Sequence, residues 1–334
     1  MVSIKDISKK TGYSITTVSR ALNDYSDVNK ETKKIIQNAA KEMNYVPNLL
    51  AKKLVNKSSK TIGFITNKLA KLSLVDNYAL RVFLGMFDEV HEYEIIFIHY
   101  NSEFFNLKSF DSIVKERQLD GAVVQGFDAK APFVNQVLES NCPTIFVDIG
   151  YENETTSYVM SDIPKAFKLG MDTIIESDFE DVAIVIGKKE SYVTQEWMKE
   201  INDFLKEDYT PKIRIIDGAY DEEVAYNEVK KDILKGRKSE VYFCLSDTMA
   251  LGVYRALEEF DIEIPEQASV LGYDNIVMSS YIKPKLTTIS QDGEKLGSEA
   301  INQLIRLIEG QEVMPKFLDV ELKMRDSFKK KVSE

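Results

Sequence analysis

The chain has 334 residues, of which 44% are hydrophobic and 29% charged, values typical of a globular protein with more than one domain. It has no run of about 18 apolar residues and no apolar stretch like that of a secretion signal, so we expect a cytoplasmic protein without a membrane-spanning helix. The two cysteines and two histidines are isolated from one another, which argues against a disulfide, a metal centre or a bound cofactor.

Charge is divided unevenly along the chain. Residues 1–60 contain 12 Lys and Arg against 5 Asp and Glu, a net charge of +7. The remaining residues contain 31 basic and 49 acidic side chains, a net charge of −18. A basic segment joined to an acidic body indicates a nucleic-acid-binding module at one end. The acidic body would repel phosphates and confine binding to that end.

Two short helices are predicted at the start of the chain. Ser3 is followed three residues later by Asp6, a spacing that resembles a capping box. The first helix should end near Gly12, because a tight turn with positive φ suits glycine. Ser14 can then cap a second helix. Its apolar stripe consists of Val18, Ala21 and Leu22. Two short helices joined by a glycine-containing turn predict a helix-turn-helix.

A third helix is predicted from Lys30 to Met43. The residues expected to face inward are Ile35, Ile36, Ala39 and Ala40. The three helices together form a small DNA-binding headpiece over residues 1–46.

The polar face of the second helix is a candidate DNA-reading surface. It carries short donors and acceptors and one guanidinium. The candidate DNA-binding residues here are Ser14, Ile15, Thr16, Thr17, Ser19, Arg20 and Asn23. In a major groove, Arg20 could form two hydrogen bonds to a guanine, while Ile15 and Thr16 meet base edges and Ser19 and Asn23 hold phosphates. The alternative is an ordinary solvated helix face.

The stretch "NYVPNLLAKKL" (44–54) predicts a conditionally folded hinge within residues 47–60. Pro47 ends the third helix and can begin another, but the segment has too little apolar area to be stable alone. It should fold only against its twin or a DNA groove. Candidate contacts are Asn48, Ala51 and Leu54, with Leu54 placed to wedge between base steps in a minor groove. The alternative is a plain interdomain linker.

From Thr61 onward, short β-rich runs alternate with amphipathic segments, which predicts parallel sheets with helices on both faces. Eight such strands, with a polar break near residues 161–167, fit two doubly wound subdomains in a core over residues 61–334. The strand "LTTIS" and a helix from about Gly293 to Glu309 should return to the first subdomain. We therefore expect one subdomain at about 61–161 plus 288–327 and the other at about 162–287.

The opening "IKDISKKTGYSITTVSRALN" with the hinge "NYVPNLLAKKL" resembles the headpiece and hinge of the LacI/GalR family of bacterial repressors. The segments "LSDTMALGVYRAL" (245–257), "SVLGYDN" (269–275), "KPKLTTISQD" (283–292) and "MRDS" (324–327) resemble that family's regulatory core. The resemblance implies a periplasmic-binding-protein-like core with an effector in the cleft between two lobes. It also implies a homodimer that binds a pseudo-palindromic DNA operator.

Polar residues at the predicted strand ends are candidate effector ligands, because ligands of open α/β sheets lie beyond the carboxyl ends of the strands. The candidate effector-binding residues are Asn67, Gln125, Asp148, Trp197, Tyr220, Asp247 and Asp274. Asp274 matches a family position that contacts effector. Helix capping is the alternative, strongest for Asp247. Many relatives carry a ligand-gripping arginine where this chain has none between residues 188 and 213. Trp197, near that place, could stack on a sugar or lie in the core.

The function expected is an effector-controlled repressor of a carbohydrate-utilisation operon, released from DNA by a sugar inducer. A nucleobase, a nucleoside or another co-repressor is an alternative effector. A sugar-binding protein without DNA function is a different class of alternative. We expect no enzyme and assign no catalytic residue, because no phosphate loop, nucleophile elbow or metal-ligand spacing is present.

Overall fold

The computed structural model describes residues 2–45, 59–67, 78–87, 89–90, 92–100, 108–206 and 211–329. The chain divides into two compact units, Met1–Ser59 and Lys60–Glu334. The predicted hinge contacts Asn48, Ala51 and Leu54 lie outside the described residues.

The first unit contains three helices: α1 (Ile4–Thr11), α2 (Ile15–Leu22) and α3 (Lys30–Glu42). The backbone N–H and the hydroxyl of Ser3 donate to the Asp6 carboxylate at 2.9 and 2.7 Å. Gly12 follows α1 with φ of 76°, and the Ser14 hydroxyl accepts from the Thr17 backbone N–H at 3.1 Å. The predicted caps and the glycine turn are therefore confirmed.

A small apolar core joins these three helices. Its buried members are Ile7, Val18, Ala21, Ile36, Ala39 and Ala40. The prediction for Ile35 is wrong, because its side chain is 49% exposed. Adjacent helix positions are about 100° apart, and Ile36 takes the one that faces the core.

The second unit is built on two six-stranded sheets, one in each of two lobes. The first sheet has the order β11-β5-β4-β3-β1-β2 and the second has the order β12-β10-β9-β8-β6-β7. The strands are β1 (Thr61–Thr66), β2 (Glu94–His99), β3 (Gly121–Gln125), β4 (Thr144–Val147), β5 (Thr156–Ser161), β6 (Asp181–Ile186), β7 (Lys212–Asp217), β8 (Val241–Cys244), β9 (Ser269–Tyr273), β10 (Thr287–Ser290), β11 (Lys316–Leu318) and β12 (Glu321–Lys323). All pairings are parallel except that of β10 with the edge strand β12. The predicted parallel α/β architecture is confirmed.

Helices cover these sheets, as the alternating sequence pattern predicts. They are α4 (Tyr78–Phe87), α5 (Phe110–Arg117), α6 (Pro132–Leu138), α7 (Ile163–Ile175), α8 (Tyr192–Phe204), α9 (Glu222–Leu234), α10 (Asp247–Glu259) and α11 (Gly293–Ile308), with a 3-10 helix at Val277–Ser280. None of the helices that the structure describes is long and apolar enough to cross a membrane.

The chain passes between the lobes three times, and the strand assignments differ from expectation. β10, which contains the "TTIS" of the predicted returning strand, pairs with β9 in the second sheet rather than joining the first. After it, α11 and β11 do return to the first lobe, and β12 crosses back to pair with β10. The partner of a short buried strand depends on long-range register, which its own residues do not specify.

Helices α4 and α11 cross closely in the first lobe because each presents a glycine to the other. A Cβ on Gly85 would lie 1.8 Å from the Glu294 carbonyl oxygen, and one on Gly297 would lie 1.9 Å from the Val82 carbonyl oxygen. Side chains at either position would push the helices apart and disturb the core beneath them.

Replacing Gly297 with alanine should destabilise the second unit by about 3 kcal/mol or more, because a methyl group cannot fit against a backbone carbonyl and overpacking strains a dense core. The free energy of unfolding from urea titration measures the effect. Ser298→Ala on the same helix is the control, since Ser298 makes only a surface hydrogen bond to Glu89. Equal stability of the two variants would contradict the tight crossing.

Candidate nucleic-acid interface and ligand cleft

Helix α2 presents the predicted DNA-reading residues on its outer side. Ser14, Ile15, Thr16, Arg20 and Asn23 are exposed, while Thr17 and Ser19 are half-buried. An isoleucine that is 49% exposed at the start of a helix is available for contact with a base edge. The structure thus places the whole predicted set on one short element.

Local hydrogen bonds already shape part of this face. The hydroxyls of Ser14 and Thr17 lie 2.8 Å apart, and the Asn23 side-chain amide donates to the Ser19 carbonyl at 2.9 Å. Arg20 forms an ion pair with Asp27, with 2.6 Å between Nη2 and Oδ2. These contacts fix the two ends of α2 before any partner is bound.

The carboxyl edge of the first sheet carries three of the predicted effector ligands. Gln125 ends β3, Asp148 follows β4, and Asn67 follows β1, whose last residue is in register with Gln125. The Tyr78 hydroxyl donates to Asp148 Oδ2 at 2.7 Å. Gln125 is only 3% exposed, and its Oε1 has no hydrogen-bond partner among the described residues. A buried unpaired carbonyl is costly, so this oxygen is suited to accept from a ligand.

The carboxyl edge of the second sheet carries Asp274, whose carboxylate is tied to the segments that join the lobes. The Gln291 side-chain amide donates to Asp274 Oδ1. Gln291 Oε1 in turn accepts from the Ser161 hydroxyl at 2.8 Å and the Tyr273 hydroxyl at 3.2 Å. Ser161 ends β5 and Gln291 follows β10, which are two of the three places where the chain passes from one lobe to the other. We refer to Asp274, Gln291 and Ser161 as the crossover relay.

Three tyrosines lie near Asp148 or Asp274. Burial raises the pKa of Tyr78, Tyr220 and Tyr273, and the charges of both Asp148 and Asp274 raise each of these pKa values further. The hydrogen bond between Ser161, at the end of β5, and Gln291, just after β10, brings the carboxyl edges of the two sheets together around a common cleft. The tyrosines stay neutral near pH 7, so they offer aromatic faces and hydroxyl groups rather than charge.

The backbone is strained where several of these residues leave their strands. Asp148, Tyr220 and Asp274 all have positive φ, at 61°, 56° and 114°. Such conformations cost free energy for residues other than glycine and cluster at binding sites, where surrounding structure enforces them. The Tyr220 hydroxyl is also fixed by Thr194 Oγ1 at 2.9 Å.

Two predicted effector ligands take structural positions instead. Trp197 is fully buried, and its ring packs edge-on against Tyr273 with 5.2 Å between the ring centroids. Trp197 is therefore part of the hydrophobic core that supports the cleft. Asp247 is also fully buried, and it accepts from the Ile276 N–H and the Ser279 and Thr288 hydroxyls at 2.6 to 3.0 Å. Its carboxylate therefore connects the start of α10 to the 3-10 helix, to the residue before that helix and to β10. The helix cap expected of Asp247 is supplied by Ser246.

The sequence reasoning missed Tyr78, Tyr273, Gln291 and Ser161. Tyr273 lies directly before Asp274, and Gln291 lies in the segment "TTISQD". Neither residue has a local sequence pattern that distinguishes it from an ordinary residue of a strand or its end. Tyr78 begins a helix 70 residues before Asp148, and no local pattern connects them.

The cleft offers carboxylate and amide oxygens that accept hydrogen bonds from a small molecule, and aromatic rings that can cover its apolar faces. No cluster of His, Cys, Asp and Glu suited to a metal ion occurs in the part of the chain that the structure describes. A helix-turn-helix unit followed by a two-lobed ligand-binding core defines a class of protein, the effector-controlled DNA-binding regulators.

Comparison with known proteins agrees with this class. Residues 3–48 match the bacterial regulatory proteins of the lacI family, and residues 171–328 match the periplasmic binding protein-like domain. The chain belongs to the LacI family of regulators, whose members act in transcription and are not enzymes.

The similarity to individual proteins extends over nearly the whole chain. The probable HTH-type transcriptional repressor ExuR of Bacillus subtilis strain 168 is 28% identical over 342 residues, 99% of both chains. The HTH-type transcriptional repressor PurR of Histophilus somni strain 2336 is 28% identical over 322 residues, 92% of both chains.

Two solved structures share the fold. A lac repressor dimer bound to operator and the anti-inducer ONPF superposes with a TM-score of 0.84 at 23% identity, covering 98% of both chains. A complex of the transcriptional regulator CelR with cellobiose superposes with a TM-score of 0.70 at 19% identity, covering 98% of this chain and 100% of that one.

Replacing Gln291 with glutamate should make stability depend on pH. Two carboxyls would then share one buried hydrogen bond, which raises the folded-state pKa of the pair above its unfolded value. The variant should therefore be most stable at low pH and lose stability as the pH rises through that raised pKa.

Urea titrations at pH 5 and pH 8 measure this difference. The control is Gln195→Glu, because the Gln195 amide makes only an exposed bond to the Lys189 carbonyl. If the two variants show the same change in unfolding free energy between the two pH values, Gln291 does not face Asp274.

Proposed function

We propose that the protein represses a carbohydrate-utilisation operon in the cytoplasm and is released from its operator by a neutral sugar. The observation that carries this proposal is the set of polar contacts at the facing sheet edges, where Tyr78 bonds Asp148 and Gln291 bonds both Tyr273 and Asp274. Two fixed negative charges disfavour a phosphorylated or otherwise anionic ligand, and they strengthen hydrogen bonds from hydroxyl groups.

The similar proteins support a sugar without specifying one. CelR binds cellobiose in its solved complex. The likeness to PurR repressors keeps a nucleobase or nucleoside as the alternative effector, for which the same tyrosines could stack on a base. The Gln125 oxygen, which has no hydrogen-bond partner among the described residues, suits a hydroxyl or an amino donor equally.

A homodimer is proposed because two-fold symmetry allows two headpieces to read two halves of a pseudo-palindrome. Two exposed apolar patches support an interface. One is formed by Leu80, Leu84 and Phe87 on α4, and the other by Val277, Met278 and Tyr281 around the 3-10 helix. The hinge residues Asn48, Ala51 and Leu54 would pair at the centre of the site, with Leu54 wedged in the minor groove.

Effector binding would act through the crossover relay. A sugar that binds Asp148 in the first lobe and Asp274 in the second would contact the Asp274 carboxylate. That carboxylate is bonded to Gln291 and, through Gln291, to Ser161. A ligand shifts an equilibrium only by its difference in affinity for the two states. We propose that the sugar favours the lobe arrangement in which the hinges are apart, which makes it an inducer.

A sugar-binding protein without a DNA function is the alternative from a different class. The second unit alone would serve that function equally well. The first unit supports a DNA-binding function instead, because residues 1–60 carry a net charge of +7 and α2 exposes several of the residues predicted to contact DNA.

The decisive experiment measures binding of the full chain to duplexes from the upstream region of its own operon, against scrambled competitor, with and without a panel of neutral sugars, sugar phosphates and nucleosides. Specific binding relieved by one neutral sugar is expected. Relief by a nucleoside would replace the effector assignment, and absence of any duplex preference under all conditions would overturn the repressor.

Replacing Arg20 with alanine should weaken operator binding by about 1–3 kcal/mol and relax the preference at one base pair in each half-site, because a bidentate contact to guanine is lost. Fluorescence anisotropy with duplexes that vary each base pair measures the change. Lys5→Ala is the control, since it removes one positive charge away from α2. Unchanged base preference in the arginine variant would exclude base reading by Arg20.

Replacing Asp274 with asparagine should reduce the effector response about tenfold or more while DNA binding stays intact, because a hydrogen bond to a charged acceptor is lost. Inducer titration of the operator complex measures it. Asp261→Asn is the matched control, since Asp261 is exposed and also has positive φ. A normal response in the Asp274 variant would mean that the effector binds elsewhere.

A further inference from the structure

Arg20 is held from two sides in the first unit. Its Nε donates to Asp27 Oδ1 at 3.2 Å, and its Nη2 lies 2.6 Å from Asp27 Oδ2, so the carboxylate engages one edge of the guanidinium. The guanidinium carbon also lies 5.2 Å from the centroid of the Tyr25 ring. One edge and one face of the Arg20 head are thereby occupied.

The loop that carries Asp27 and Tyr25 is itself anchored. The Tyr25 N–H donates to the Arg20 carbonyl at 3.1 Å, which ties the loop to the end of α2. Lys33 on α3 donates to the Asp24 carbonyl at 3.1 Å and to its carboxylate at 2.6 Å. These bonds hold the loop backbone in place, so the Asp27 carboxylate has a fixed position beside Arg20.

Stability does not account for this arrangement. The Arg20 and Asp27 side chains are 46% and 53% exposed, and ion pairs with such exposure contribute little to folding. Asp27 also places a negative charge beside the surface that meets DNA phosphates, which weakens binding to every sequence. A charge that weakens general binding is consistent with a role in selectivity.

The geometry of arginine indicates what that role is. A guanidinium has five N–H donors in a rigid plane, and a carboxylate on the Nε and Nη2 edge leaves the outer Nη1 and Nη2 donors directed away from it. Those two donors form the pair that matches O6 and N7 of a guanine. If no group binds the Nε and Nη2 edge, the guanidinium can rotate and donate to phosphates or to other bases.

We propose that Asp27 is a positioning residue for sequence recognition: it fixes the guanidinium of Arg20 so that the outer edge reads one guanine. The proposal rests on the proposed function of Arg20 as a base-reading residue. It predicts two separable effects of removing the Asp27 charge, which are stronger binding to all duplexes and weaker preference at one base pair.

The test compares two variants that each remove one negative charge, Asp27→Asn and Glu31→Gln, in the full chain. Duplexes carry each of the four base pairs at the position identified with Arg20→Ala, and dissociation constants are measured over a range of salt concentrations. Glu31 is exposed on α3 and outside the loop that carries Asp27, so Glu31→Gln should strengthen binding to all four duplexes by the same factor. Asp27→Asn should strengthen binding to the three unfavoured duplexes and reduce the guanine preference about fivefold or more.

Two further variants make the result specific to positioning. Asp27→Glu keeps a carboxylate within reach and should retain more guanine preference than Asp27→Asn. In an Arg20→Ala background, Asp27→Asn should change no base preference. Thermal melting should show that Asp27→Asn and Glu31→Gln both keep the folded structure, since both positions are exposed.

The outcomes are distinct. If Asp27→Asn keeps the full guanine preference and behaves like Glu31→Gln, the positioning role is overturned, and the Arg20–Asp27 contact is only a surface ion pair. If the unmodified protein prefers no duplex, or Arg20→Ala leaves its preference unchanged, the proposed function of Arg20 fails first, and with it the basis for a role of Asp27.

Discussion

The carboxylate of Asp274 is hydrogen-bonded to Gln291, which lies in one of the segments that join the two lobes. Gln291 links this carboxylate to Ser161, so a residue at a sheet edge is connected to two of the places where the chain changes lobe. A buried charge is tolerated only with such bonds, because an unpaired carboxylate in this environment would be very costly. Any group that binds Asp274 therefore also changes the bonding at the point where the lobes are joined.

The distribution of charge separates the two tasks of the molecule. The first unit is basic and exposes a polar helix face, while the cleft of the second unit combines two carboxylates with tyrosines that burial keeps neutral. Phosphates are attracted to one unit and repelled by the other. Recognition of DNA and recognition of a small molecule can thus be adjusted by different residues, with the hinge segment as the covalent connection.

The parts of the structure that could be predicted from sequence are those with local causes. Ser3, Gly12 and Ser14 determine where the first two helices begin and end, and a stretch of neighbouring residues is enough to recognise each signal. The lobe that takes β10 could not be predicted, because it depends on register with a distant strand. Asp148 and Asp274 were predicted as effector ligands from their position after strands, and that role stays a prediction. Tyr78 was missed because its link to Asp148 spans 70 residues. Asp247 was misassigned because a strand-end carboxylate that faces inward has the same local sequence signature as one that faces a cleft.

The order of segments along the chain has a consequence for synthesis on the ribosome. The first lobe receives α11 and β11 only after the second lobe's main strands, and the second lobe receives β12 and Phe328 later still. The core of the helical unit, as far as the structure describes it, is made of residues up to Tyr45. In a nascent chain the three helices can therefore pack together long before either lobe of the sensor is complete, and regulation by ligand can begin only after β12 has been made.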